Sequence, residues 1–225
     1  MKKKKKALIV LVVVLVLLLV AWWYLFLGNK IKDATKEITK GDADTKALIV
    51  YFTRSSVITA EGSADAVTSA SMNIHDGVTE AAAMQLQRLT GADLYEIRTE
   101  RYYRNSFVGT AATAWIEETL NMRPGLAAKP DDFSAYDVIY VGFPIWWFNA
   151  PMAIGTFLES YDLSGKTIVP FCTSQDNGIE ICMDYIRSVS GGAKVLDGYR
   201  INHSSDEDIR NWLDRIGAAG CRFPL

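Results

Sequence analysis

The sequence predicts an α/β domain built on a parallel sheet covered by helices on both faces and preceded by one membrane-spanning helix. Three observations carry this prediction. Residues 7–27 are 21 uncharged, almost wholly apolar positions behind five consecutive lysines. From residue 46 onward, continuous apolar runs of strand length alternate with helical patterns, as expected for strands buried on both faces and joined by helical crossovers. Charge divides the chain in the same place: the total is −2, yet residues 46–225 hold 15 Lys and Arg against 22 Asp and Glu, so a basic leader precedes an acidic domain.

At 1.5 Å per helical residue, 7–27 is long enough to cross a bilayer. Trp22, Trp23 and Tyr24 suit the interfacial belt and no small-x-small cleavage site follows, which favours an uncleaved anchor over the alternative, a signal peptide. Lysines 2–6 outnumber Lys30, Lys32, Lys36 and Lys40, which are diluted by Asp33 and Glu37, so the N-terminus is expected in the cytoplasm and the domain outside. The organisation expected is a basic terminus and anchor (1–27), a charged tether (28–45), the domain (46–217) and a tail (218–225).

Within the domain, KALIVYF (46–52) reads as a central strand, apolar without alternation and ended by a polar break. The same KALIV at 6–10 continues into apolar residues and becomes anchor instead. Further strands are expected at 94–97, 136–142, 166–171 and, shorter, 193–196. Helical patterns fall at 79–90 (Ala82, Leu86, Leu89), about 110–121 (Ala114, Ile116, Leu120), 151–160 opening on Pro151, 179–189 (Ile179, Met183, Ile186) and 206–216 (Ile209, Trp212, Leu213, Ile216). Ser205 and Asp208 have the spacing of a capping box. The Ser, Thr, Ala, Asp and Gly of 53–78 make an unusually long strand-to-helix connection.

Composition excludes several classes of function. An acidic domain has no reason to seek phosphate backbones, so nucleic acid is a poor partner. Cys172, Cys182 and Cys221 lack metal-ligand spacing, and with only His75 and His203 no metal site is expected. Cys172 and Cys182 are either paired or free buried thiols. Neither histidine sits in a recognisable triad, and no Gly-x-Ser-x-Gly elbow is present.

In an open α/β sheet ligands bind beyond the carboxyl ends of the strands. Three segments converge there: 53–79, 143–151 and 172–178. The middle one, GFPIWWFNAP, holds two tryptophans and a phenylalanine between Pro144 and Pro151, so IWWFNA is expected as loop. Its aromatics read as one wall of a site for a flat apolar body.

Five stretches, ALIVYFTRSS, TGADLYEI, YDVIYVGFPIWWFNAPM, FLESYDLSGKTIVPFCTS and WLDRIG, resemble the flavodoxin-like family of short-chain flavoproteins over roughly residues 46–217. The resemblance implies a three-layer sandwich with a five-stranded parallel sheet in the order 2-1-3-4-5, the order for which flavodoxin itself is the standard example. It also implies flavin mononucleotide (FMN) as noncovalent cofactor, and electron transfer. By resemblance, Thr53 opens a phosphate loop, assisted by Arg54 and Ser55, and Gly77, Val78 and Thr79 close it at a helix N-terminus. Val78 replaces an Asn of the family pattern, which removes a side-chain donor. Pro144, Ile145, Trp146, Trp147, Phe148 and Asn149 are placed beside the flavin ring, with Phe148 where relatives often carry a small residue. Asn149 either meets the ring edge or caps the next helix. Cys172, Thr173, Ser174, Gln175, Asp176, Asn177 and Gly178 reach the pyrimidine side, in a run bulkier and more acidic than the family's. Inward, Asp176 would disfavour flavin reduction; outward is its default.

Within the long loop, DAVTSAS (65–71) resembles the acceptor sequence for phosphoester-linked FMN, which would make Thr68 the attachment residue. The function expected is an electron carrier between redox partners at the membrane, a redox protein or a quinone, with no catalytic side chain. Its rivals are an FMN-dependent NAD(P)H or quinone reductase and a flavin-free binding or scaffold domain.

Overall fold

The computed structural model describes residues 2–26, 30–31, 34–42, 46–54, 78–104 and 106–218, with side chains of the first helix over 6–23. Ser55, Thr68, Gly77 and Cys221 lie outside the described residues.

Helix α1 (Lys2–Phe26) carries a window from Lys6 to Trp23 with a mean hydropathy of 2.8, none of it buried against the domain. By length and composition it is able to cross a membrane, as an anchor or as a signal sequence.

The domain follows with β1 (Ala47–Phe52), α2 (Val78–Thr90), β2 (Asp93–Ile97), α3 (Phe107–Thr119), β3 (Val138–Pro144), α4 (Met152–Leu158), β4 (Thr167–Thr173), α5 (Met183–Val189), β5 (Lys194–Val195), β6 (Tyr199–Arg200) and α6 (Asp206–Arg215). The strands pair in parallel in the order β2-β1-β3-β4-β5, the 2-1-3-4-5 arrangement expected. Alternation along β1 explains the three layers. Leu48, Val50 and Phe52 join the core under α3, α4 and α5, while Ala47, Ile49 and Tyr51 join the core under α2 and α6. Burial of such apolar side chains contributes about 1.5–3 kcal/mol each. The Ser205–Asp208 capping box at the start of α6 is present in full.

Three local features depart from the periodicity reading. The edge expected as one strand at 193–196 is two short strands, β5 beside Thr167–Ile168 and β6 beside Phe171–Cys172. Leu196 N donates to Ile168 O at 2.9 Å, and two residues on, the same side of β4 presents Pro170, which has no N–H to continue the ladder. The interruption brings Gly198 close to the Pro170 carbonyl, where a Cβ would meet it at 2.9 Å, and frees the Asp197 carbonyl to accept from Trp212 Nε1 at 3.1 Å. Residues 179–182 form a turn of 3-10 helix before α5 begins. Finally, the segment before β1 is docked on the free edge of β2. Thr39 and Leu94 exchange backbone hydrogen bonds of 2.8 and 2.9 Å, and Asp93 accepts from Lys40 Nζ (2.7 Å), Tyr136 Oη (2.5 Å) and Gly41 N (2.8 Å). An edge strand offers unpaired N–H and C=O groups, and this segment satisfies them.

Candidate functional site

The carboxyl ends of β1, β3 and β4 and the N-terminus of α2 open on one edge of the sheet. The site begins in β1. Thr53 and Arg54, immediately after it, are both buried, and Arg54 Nε donates to Thr110 Oγ1 at 3.2 Å; burial lowers the guanidinium pKa. Thr79, in the first turn of α2, shares a buried hydroxyl hydrogen bond of 2.7 Å with Thr173 at the end of β4. That bond joins two of the three segments expected to converge.

The third segment follows β3. The strand runs through Pro144, paired with Thr173, and Ile145 N donates to Thr173 O at 3.1 Å. The chain then reverses in a two-residue turn: Trp146 and Asn149 exchange backbone hydrogen bonds of 2.8 and 2.9 Å around Trp147 and Phe148, whose φ angles are +48° and +65°. Positive φ at both central residues is the hairpin geometry that normally selects Asn-Gly. Here it turns the three aromatics to different tasks. Trp146 is buried with edge contacts to Phe52 and Tyr103, both at 5.3 Å between ring centroids. Trp147 is half exposed and its indole N–H donates to the Ala111 carbonyl at 2.8 Å; Phe148 is exposed. Asn149 Oδ1 accepts from Ala150 N at 2.8 Å, and Pro151, not Asn149, occupies the cap position of α4.

Ile145, Trp146, Trp147, Phe148 and Asn177 line a largely apolar cavity of about 250 Å³ whose remaining wall is α3, through Phe107, Thr110, Ala111 and Ala114. Sequence reasoning missed α3 as a wall. Its signal is the run of small residues in GTAATA (109–114), which leaves space where larger side chains would fill it. The Trp146 Nε1–H is buried and has no hydrogen-bond partner among the described residues. A buried donor left unpaired costs about 1–3 kcal/mol, so a group supplying an acceptor there would be favoured.

The segment 172–178 divides. Cys172, Thr173 and Ser174 are buried, whereas Gln175 and Asp176 are exposed, so the Asp176 carboxylate faces solvent. Ser174 N donates to Asn202 Oδ1 (3.1 Å) and Ser174 Oγ accepts from Asn177 N (3.2 Å), which turns Asn177 toward the cavity and Gly178 into the following 3-10 turn. Cys172 and Cys182 are free and buried; burial raises both thiol pKa values, that of Cys182 to about 12.

Behind Trp146 lies a titratable group that pattern reading did not single out. Glu117 of α3 is buried and accepts from Tyr103 Oη at 2.8 Å. Burial pushes its carboxyl up to about 7 against the opposing pull of that hydrogen bond. Among the described residues no cluster of His, Cys, Asp and Glu is able to hold a metal.

The flavodoxin family model matches residues 66–216. Among solved structures, the chain is similar to a flavoprotein from Bacteroides eggerthii (30% identity, 77% of this chain and 99% of that one, TM-score 0.63). It is similar to another from Bacteroides uniformis (30%, 76% and 99%, TM-score 0.60). A flavoprotein from Lactobacillus acidophilus solved in complex with FMN shares the fold (19%, 75% and 98%, TM-score 0.55). No curated protein matches. A family model matched across most of the domain, together with two flavoproteins covered almost end to end at 30% identity, shows that the chain belongs to the flavodoxin family.

Proposed function

We propose that this chain is an electron-transfer flavoprotein, tethered to the membrane by α1, that holds FMN noncovalently at the carboxyl edge of its sheet. The observation that carries the reading is the largely apolar cavity of about 250 Å³ between α3 and the Trp147–Phe148 turn, lined in part by Trp146, whose buried Nε1–H has no partner among the described residues. That set fits an isoalloxazine ring, whose faces are apolar and whose edge carries acceptors. The two Bacteroides flavoproteins support the same cofactor class.

When bound, FMN supplies the redox chemistry, and the protein supplies binding, orientation and electrostatics. Trp147 and Phe148, at the cavity mouth, would cover a bound ring and exclude water from it. Thr53 and Thr79, with the amide N–H groups and positive dipole end of α2, would hold the phosphate, with Ser55 and Gly77 as further candidates. Asn177, which lines the cavity, would meet the ring from the β4 side, and the exposed Asp176 would leave it without a carboxylate there. Orientation follows the lysine balance: N-terminus in the cytoplasm, domain outside.

The test is the visible spectrum of the full chain purified in mild detergent, before and after denaturation and filtration. Flavin bands that pass into the filtrate support noncovalent FMN, and bands retained on the protein with a flavin-sized mass on Thr68 place the cofactor on a phosphoester instead. Colourless protein that takes up no added FMN would favour a flavin-free scaffold and refute the proposal. Steady NAD(P)H turnover without a protein partner would move the assignment from carrier to reductase.

A further inference from the structure

A second cavity, of about 320 Å³, is lined by Tyr103, whose ring touches Trp146, and by the buried Glu117 that accepts from the Tyr103 hydroxyl. Its size is at the lower end of the range of small-molecule pockets, enough for a one- or two-ring head group. Its walls are flat or flexible: Tyr102, Tyr103, Pro124 and Met122 from the domain, and Trp22 from the end of α1.

The charged side chains around its rim are already engaged. Glu100 pairs with Lys30, Arg123 holds Glu159 in a two-pronged contact of 2.6 and 2.8 Å, and Arg101 is likewise engaged. Among the described residues a charged ligand therefore meets no waiting counter-charge. The remaining polar chemistry is central. Glu117 accepts from Tyr103, and the Thr113 hydroxyl donates to Gly109 O at 2.9 Å, leaving its oxygen as an acceptor. A carboxyl that is a donor when protonated and an acceptor when ionised matches a ligand oxygen that is carbonyl in one state and hydroxyl in the other.

The geometry points to a binding site for the ring of a quinone or its quinol, with Glu117 as the hydrogen-bonding group and Trp22 on the side from which a lipid tail enters. The inference names the acceptor class for the electron carrier proposed above and rests on that reading for its role, although not for its binding. Tyr103 lines this cavity, and its ring also touches Trp146 in the wall of the first cavity. A space of about 10 Å³, room for about one water, shares Trp146 with the first cavity and Glu117 with the second. The titratable and charged groups facing Glu117 are Tyr103, Glu100, Arg101 and Arg123 across the cavity, Tyr102 beside them, Glu118 on its own helix and Tyr185 of α5.

The test uses menadione and isothermal titration of the full chain in detergent, with and without FMN. Menadione, an acceptor, binds the protonated carboxyl. With Glu117 half-titrated near pH 7, affinity weakens about tenfold between pH 6 and pH 8. Glu117→Gln, which keeps the shape and a donor, binds with no such pH dependence, and Glu117→Leu loses at least tenfold at pH 6 while any bound flavin keeps its spectrum. An isoprenoid-tailed naphthoquinone in nanodiscs separates the sources. A gain that Trp22→Ala abolishes identifies the bilayer, and affinity equal to that of menadione identifies a soluble ring compound; both support the site. Binding that FMN abolishes places menadione in the first cavity and overturns the inference, as does affinity indifferent to pH and to both Glu117 variants. Glu117-dependent binding to protein that takes no FMN keeps the site and refutes the flavin reading alone.

Discussion

Glu117→Gln isolates a single buried carboxyl in the stability of the domain. The folded-state pKa is raised from 4.5 to about 7, and each unit corresponds to 1.36 kcal/mol, so the native state carries a penalty of about 3 kcal/mol once the group is ionised. The sign follows from which state ionises first. Below about pH 4.5 the carboxyl is protonated in both folded and unfolded chains and nothing is lost. Between 4.5 and 7 the unfolded chain releases its proton more readily than the folded one, so stability falls as pH rises, and above about 7 the loss is complete. The amide that replaces the carboxyl has no proton to lose and keeps an oxygen for the Tyr103 hydroxyl. The variant is therefore expected within about 1 kcal/mol of the wild type at pH 4.5, the change resembling a neutral hydrogen-bond exchange, and about 3 kcal/mol more stable at pH 8. With a urea m value of about 2 kcal/mol/M, that is a midpoint difference of about 1.5 M, read by circular dichroism at both pH values. A variant-minus-wild-type difference that is the same at pH 4.5 and pH 8 would refute the reasoning, because other titrating groups cancel in that subtraction.

Three further outcomes are expected. Phe148→Gly removes a Cβ from a left-handed position and raises stability by about 1 kcal/mol, measured by urea midpoint; a loss of stability would mean that the Phe148 ring contributes more than its backbone costs. Asp93→Asn weakens the hold of Lys40, Tyr136 and Gly41 on the β2 edge. Burial opposes ionisation of Asp93, but those three hydrogen bonds outweigh it and hold the carboxyl below its usual range, so the native state gains stability above the unfolded pKa that is lost on acidification. The variant should cost about 1–3 kcal/mol at neutral pH and speed hydrogen exchange at the Thr39 and Leu94 amides, and unchanged exchange there would sink the docking argument. Cys172 and Cys182 should resist alkylation at pH 8 until urea unfolds the domain, since burial keeps both as thiols; mass mapping of label on either in the native protein would contradict this.

What was legible in the sequence and what was not have physical causes. Residues 47–52 and 139–144 are buried on both faces, so their apolar runs are unbroken and announce central parallel strands. The order of those strands is not contained in periodicity and came from the family resemblance. The split of the edge into β5 and β6 was hidden because a proline in β4 acts on its neighbour's ladder, and no pattern within 193–200 records it. The aromatic loop was legible as a wall because prolines bracket it; α3 as the opposing wall was not, because small residues contribute by the space they leave. Nothing in the helical pattern of 110–121 marks Glu117. Its burial depends on Tyr103, 14 residues earlier and brought into contact by the turn into α3.

The Trp147–Phe148 turn joins the site to the fold's energetics. Two consecutive left-handed non-glycine residues cost roughly 1–2 kcal/mol each, a sizeable part of a domain stability of about 5–15 kcal/mol. The geometry persists because it is held from several sides. Pro144 and Ile145 are tied to Thr173 before the turn, the Trp146–Asn149 hydrogen bonds close it, Pro151 starts α4 after it, and the Trp147 indole is anchored on Ala111. An Asn-Gly turn would satisfy the same backbone at lower cost and would leave the cavity open on that side. The extra cost places an indole and a phenyl ring at the cavity mouth, half exposed and exposed, while the third aromatic packs inward on Phe52 and Tyr103. Backbone strain over-determined by its surroundings and spent on exposed aromatic surface is the pattern expected where a flat ligand is to be covered. By that argument the strain in this turn shapes the mouth of the first cavity, the proposed flavin site, and does not serve the folding of the sheet.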